Sequence, residues 1–116
     1  MSRRAPRERL DDIRAACAAI EQYVALGEDR EWSSTREMLR YDAVRMRLVE
    51  IGIAVGALPE RILAHEPTIP WRHVAELGAR LTSRSFDTGR ALVLETARVD
   101  VPRLRAAVDR LVAASV

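Results

Sequence analysis

Five side chains with usable chemistry fall within one short stretch, IPWRHVAELGARLTSRSF, residues Ile69 to Phe86: His73, Arg80, Ser83, Arg84 and Ser85. Arg80 and Arg84 are four apart, so on a helix they share a face and can grip a phosphate with two guanidinium groups. Two solvated arginines, or an ion pair with Glu76, are the plainer account of the same letters. Ser83 and Ser85 bring hydroxyls that do not titrate in the accessible range, whereas moving a proton near neutral pH needs a group such as His. The chain has two histidines, His65 and His73, eight residues apart. A partner for a helix C-terminus describes the first, and an exposed first-turn residue the second, without catalysis. Arg36, Arg40 and Arg47 lie within about 40 degrees of one another on a helical wheel and form a basic stripe. Without interleaved aromatics that stripe reads as solvated or subunit-facing and not as an RNA surface. Trp32 and Trp71 each adjoin a helix start, where a large apolar body anchors the chain. No set of His, Cys or carboxylate residues recurs at ligand spacing, so neither a metal nor another cofactor is expected.

The elements that must position these residues are helical. Leu10, Ile13, Cys17, Ile20 and Val24 recur at three- and four-residue spacing and trace one stripe of a first helix from about Arg7 to Leu26, stopped by Gly27. Ser34 and Glu37 form the S-x-x-E pattern that opens a second, longer helix. Its core face is Tyr41, Val44, Leu48, Ile51 and Val55, while Val49 and Ile53 point elsewhere. A helix apolar on more than one side needs a second surface to bury against, within the fold or on another subunit. Pro59 opens a short turn, PERILAHEP, and Pro67 and Pro70 bracket a loop before a third helix from Trp71 to about Arg84. A fourth begins near Asp87, is interrupted or re-capped at Asp100 to Pro102, and runs out through Leu104, Val108, Leu111 and Val112. No stretch alternates cleanly with a period of two, so the fold class is all-α: an up-and-down four-helix bundle with a short extra helical turn.

At 116 residues the chain reads as one domain, residues 1–116. All 19 basic residues are Arg, a pattern of codon usage in a GC-rich genome, and against 17 acidic residues they leave a formal charge of +2. That balance is a mixed surface and excludes a polyelectrolyte that holds nucleic acid by charge alone. No apolar run approaches the ~20 residues that span a bilayer, and the N-terminal arginines lead into no apolar segment, so a soluble, cytoplasmic protein is expected. The single Cys17 reads as a reduced, buried, small hydrophobe.

The order DAVRMRLVEIGIAVGAL, a short linker, IPWRHVAELGARLTSRSF and then an amphipathic C-terminal helix resembles the HepT family of small HEPN-fold toxins. Asp42-Ala43-Val44 and Leu48 to Ala54 match the family's second-helix block, and Ile69-Pro70-Trp71 its lead into the third helix. The resemblance runs from about Asp42 to the C-terminus, with the first helix fitting in length and stripe. It implies a homodimer of helix bundles whose motif helices face each other across a cleft. There an arginine binds the scissile phosphate and a histidine supports metal-independent RNA cleavage. The antitoxin in such bacterial pairs is a minimal nucleotidyltransferase that adds AMP to a motif tyrosine. Carried over residue by residue, the arginine position is Gly78, the histidine position Ser83 and the tyrosine position Ser85. Ile53 replaces a family glutamate and Ala79 an asparagine. What survives is scaffold: Pro70, Trp71, Arg80, Leu81 and Phe86.

Loss of a proton-transfer group costs about 100- to 10,000-fold in rate, and loss of a charge-stabilising donor costs a similar factor. The resemblance therefore implies a degenerate ribonuclease that works by binding a nucleotidyltransferase partner or RNA. Two other readings stay open: a divergent active ribonuclease that uses Arg80, Arg84, Ser83 and Ser85, and an unrelated helical interaction module. Leu48, Ile51, Ile53, Trp71 and Phe86 are the candidates for core or dimer packing. If the carry-over is right, Gly78, Ser83 and Ser85 face the cleft, and arginine, histidine and tyrosine introduced there restore cleavage.

Overall fold

The computed structural model describes residues 4–26, 35–83 and 89–114, and among them every regular element is helical. The elements are α1 (Pro6–Ala25), α2 (Thr35–Gly56), α3 (Glu60–Leu63), α4 (Trp71–Leu81), α5 (Arg90–Glu95), a π-helical turn (Thr96–Asp100) and α6 (Val101–Ala114). The all-α bundle read from the sequence is the fold observed. Gly27, Trp32, Ser34, Arg84, Ser85, Phe86 and Asp87 lie outside the described residues.

α1 starts at Pro6, whose missing N–H costs nothing in a first turn, and Glu8 reaches back to accept the Ala5 N–H at 3.1 Å. Its stripe of Leu10, Ile13, Ala16, Cys17 and Ile20 is fully buried. α1 packs between α2 and α6, and the α1–α6 contact is laced by Arg105–Glu21 at 2.6 Å and Arg14–Asp109 at 2.8 Å. Such half-exposed pairs contribute about 0–1 kcal/mol each, so the apolar seam beneath them carries the contact.

α2 is the central rod. Val44, Leu48, Ile51 and Val55 are buried as their spacing predicts. Val49, expected to point away from the core, is also buried, because α4 lies against that flank of α2. Ile53 is 62 % exposed and belongs to no core. The basic stripe on this helix is largely paired: Arg40 bonds the buried Glu37, and Arg47 reaches Glu50 at 3.2 Å and the Tyr23 hydroxyl at 3.5 Å.

Trp71 acts as the anchor its position suggested. Its indole N–H donates to the carbonyls of both Leu63 and Glu66 at 3.0 Å, fixing the proline-rich loop on the first turn of α4. Arg110 of α6 grips Glu66 at 2.7 Å from the other side. α4 ends at Leu81, three residues earlier than the apolar pattern suggested, and Arg45 of α2 donates to the Leu81 carbonyl, one of the acceptors a helix end leaves open.

The interruption expected at Asp100 to Pro102 is a change of helical pitch and not a break. Pro102 has no N–H to give the carbonyl four residues earlier, and its ring crowds that carbonyl. The chain answers by widening to π geometry over Thr96–Asp100, so α5, the π turn and α6 follow one another as a single rod. Arg90 at its start lies over the Tyr41 ring, 5.7 Å from the centroid, which holds this rod against α2. No helix among the described residues is long and apolar enough to cross a membrane.

Cys17 has no exposed surface, and burial, with the nearby Glu21 carboxylate adding to it, pushes its thiol up to about 12. A thiol kept neutral by the fold supports stability fully below the unfolded value of ~8.5 and loses that support as pH rises from there toward 12. The expected outcome is that a thiol reagent at pH 8 leaves the native protein unlabelled over minutes and labels one site at once in denaturant. Rapid labelling of the native protein contradicts this burial.

Candidate functional site

The side chains of α4 divide by helical spacing into two sets. His73, Leu77 and Arg80, at steps of four and three, share the side that faces the α5–π–α6 rod. Ala75 and Gly78 turn toward α2. Between α4 and the rod runs a groove of about 290 Å³, floored by Leu48 and Ile51 of α2 and closed at one end by Ile69 and Pro70. Leu92, Thr96, Asp100 and Arg103 line the opposite wall, where the π turn and the first turn of α6 aim polar groups into it. The floor is apolar and the rims carry charge of both signs: His73, Arg80 and Arg103 against Glu76 and Asp100.

What sets α4 at this height on α2 is a contact without side chains. A Cβ built on Gly78 meets the Gly52 Cα at 2.7 Å and the Leu48 carbonyl oxygen at 3.1 Å, and one built on Gly52 meets the Gly78 Cα at the same 2.7 Å. Neither glycine has positive φ, so space and not backbone conformation is what requires them. Gly78, carried over to a motif arginine that faces a cleft between subunits, instead sits inside this helix crossing. The position has no room for a side chain. Two residues on, Arg80 is exposed and stands at the groove.

Ser83, the carried-over histidine position, is exposed just past the end of α4, with its backbone N–H on the Arg80 carbonyl at 3.2 Å. Arg84, Ser85 and Phe86 fall outside the described residues. His65 is exposed after α3 and takes no part in the groove, whereas His73, read as a first-turn surface residue, is exposed and also lines it. Among the described residues no group of three metal-ligating side chains comes together. The site is therefore an amphipathic groove with an arginine on each rim, suited to a ligand with an apolar plane and an anionic group.

The opposite wall was not seen in the sequence. Thr96, Asp100 and Arg103 carry helical spacing, but the π turn that orients them follows from Pro102 only once the chain on both sides is known to be helix. Gly52 and Gly78 did leave a signal. An isolated glycine inside an amphipathic helix costs ~1 kcal/mol against alanine, and a pair of them marks a close approach.

With this geometry in place, the family described as Ribonuclease HepT-like matches residues 13–111, well over half of the chain. No curated protein and no solved structure matches it.

The crossing makes a prediction at each glycine. Gly78→Ala gains up to ~1 kcal/mol of helix propensity but forces two backbones apart, a strain of about 1–3 kcal/mol, so the net effect is destabilising. Thermal unfolding should show a lowered Tm for Gly78→Ala and loss of the folded state for Gly78→Arg. An unchanged Tm in Gly78→Arg contradicts the packing described.

Proposed function

The chain belongs to the HepT-like ribonuclease family, and from that premise we propose that it is a degenerate member that holds RNA in the α4 groove without cutting it efficiently. The observation that carries this is the placement of Gly78 and Arg80. The first is sealed in the α2–α4 crossing and the second is exposed on the groove rim, so Arg80 is the side chain fit to meet a phosphate. A guanidinium offers a rigid fork of donors to phosphate oxygens. The exposed Leu92 and the partly buried Val74 and Leu77 on the groove walls suit the face of an unpaired base. Nothing at Ser83 replaces a histidine as proton donor or acceptor, which supports binding without the family's cleavage.

On this reading the protein is a homodimer of a toxin–antitoxin type system and acts by occupancy. A minimal nucleotidyltransferase is the partner that the family resemblance suggests. Both tyrosines, Tyr23 and Tyr41, lie on α1 and α2, so AMP transfer to a tyrosine in the motif stretch has no acceptor. A second reading is favoured by one observation: His73 and Arg80 share the groove-facing side of α4, an arrangement that supplies a proton carrier and a cation to one ligand. On that reading the protein is a divergent, metal-independent ribonuclease. Family membership removes the third alternative, an unrelated helical module.

Fluorescence anisotropy with a labelled single-stranded RNA tests the proposal. Arg80→Ala should weaken binding about 10- to 100-fold, the value of one charge-assisted contact, with unchanged circular dichroism. The RNA should stay intact over hours in EDTA. Robust cleavage that disappears in His73→Ala overturns the binding reading in favour of the second, and an Arg80→Ala protein that binds as the parent does removes the groove from consideration.

A further inference from the structure

The wall of the groove opposite α4 carries an ordered set of side chains. Leu92, Thr96, Asp100 and Arg103 follow one another along the rod, and all four line the groove. Leu92 is 55 % exposed and, with the partly buried Val74 and Leu77 across from it, offers apolar surface to a ligand. The Thr96 hydroxyl donates to the Leu92 carbonyl at 2.8 Å, so its proton is held within the rod. Asp100 and Arg103 are exposed and three residues apart, a spacing at which opposite charges commonly pair on a helix. Among the described residues neither makes an ion pair. Two carboxylate oxygens and a fork of guanidinium donors therefore stand side by side at the groove.

A carboxylate is an odd companion for a polyanion. It repels phosphate, and once ionised it can only accept hydrogen bonds. What meets it on a single RNA strand must be a donor: a 2′-hydroxyl or an N–H of a base edge. The hydroxyl gives one proton and is the same at every nucleotide. Guanine presents two adjacent donors, N1–H and the N2 amino group, with the acceptor O6 beside them. Two donors match the two carboxylate oxygens, and O6 matches the neighbouring guanidinium. Adenine and cytosine offer one amino donor next to an acceptor nitrogen, and uracil one imino donor between two carbonyls. Each gives a carboxylate a single bond and sets a lone pair against its second oxygen. The other acid at the groove, Glu76, lies on α4 between His73 and Arg80, on the wall assigned to phosphate.

Resting on the RNA binding proposed above, we infer that the groove selects guanine. The base lays its face on the apolar walls, N1–H and the N2 amino group donate to Asp100, and O6 accepts from Arg103. A phosphate of the same strand meets Arg80 on the facing wall.

Fluorescence anisotropy with labelled uridine heptamers carrying one central G, A, C or inosine tests the selection. The G heptamer should bind about tenfold or more tightly than those with A, C or U, the discrimination expected of a two-bond contact. Inosine, which lacks the N2 amino group, should fall between. Asp100→Ala should reduce the G heptamer to the affinity of the A heptamer, while the all-U heptamer binds no more weakly than it does to the parent and circular dichroism is unchanged. Guanosine monophosphate alone should bind more weakly than the G heptamer; equal affinity assigns the groove to a free nucleotide and overturns selection within RNA. Equal binding of all heptamers, still weakened by Arg80→Ala, overturns the guanine preference and leaves the groove an RNA site. A preference for G that survives Asp100→Ala, or an inosine heptamer bound as well as the G heptamer, overturns the contact described. Absence of binding to every heptamer overturns both the selection and the RNA reading.

Discussion

The backbone contact between Gly52 and Gly78 is the constraint from which the working surface follows. With no Cβ on either residue, α4 descends onto α2 until Cα meets Cα, and any larger residue lifts it by the width of its side chain. At that depth the buried Leu48 and Ile51 of α2 underlie the groove, and the face of α4 bearing His73 and Arg80 stands as one of its walls. Arg45, donating to the Leu81 carbonyl, fixes the far end of α4, and the Trp71 indole fixes the near end. A short helix is thus held at three points along its length.

The opposite wall depends on a different device. Pro102 forbids one hydrogen bond, and the π turn over Thr96–Asp100 absorbs the defect without ending the rod. The helical elements stay continuous through it, and Thr96, Asp100 and Arg103 line the groove opposite α4. Ion pairs such as Arg110–Glu66 and Arg14–Asp109 align the elements at the surface, while buried apolar residues including Ile13, Val44, Val93, Val101 and Val108 supply the cohesion.

Much of the helical layout was legible because it is local. The stripe of α1, the core face of α2, the buried Cys17 and the anchoring Trp71 all follow from spacing and side-chain chemistry within one element. Val49 is set off the core face by its spacing, which asks for a second surface within the fold or on another subunit, and which flank of a helix receives a neighbour is a tertiary fact: here α4 supplies that surface. The resemblance carries an arginine position to Gly78, and the letters alone do not show the room a side chain there needs or that Arg80, two residues on, is exposed at the groove.

The groove is the centre of this account, and amide chemical-shift mapping on the uniformly ¹⁵N-labelled protein examines it most directly. Titration with a short single-stranded RNA should shift the amides of His73, Leu77, Arg80, Thr96 and Arg103 together, leave Leu39, Met46 and Ile53 in place, and release no new RNA resonances during the experiment. Shifts confined to surfaces away from α4 and the π turn, or the appearance of cleaved RNA, contradict it.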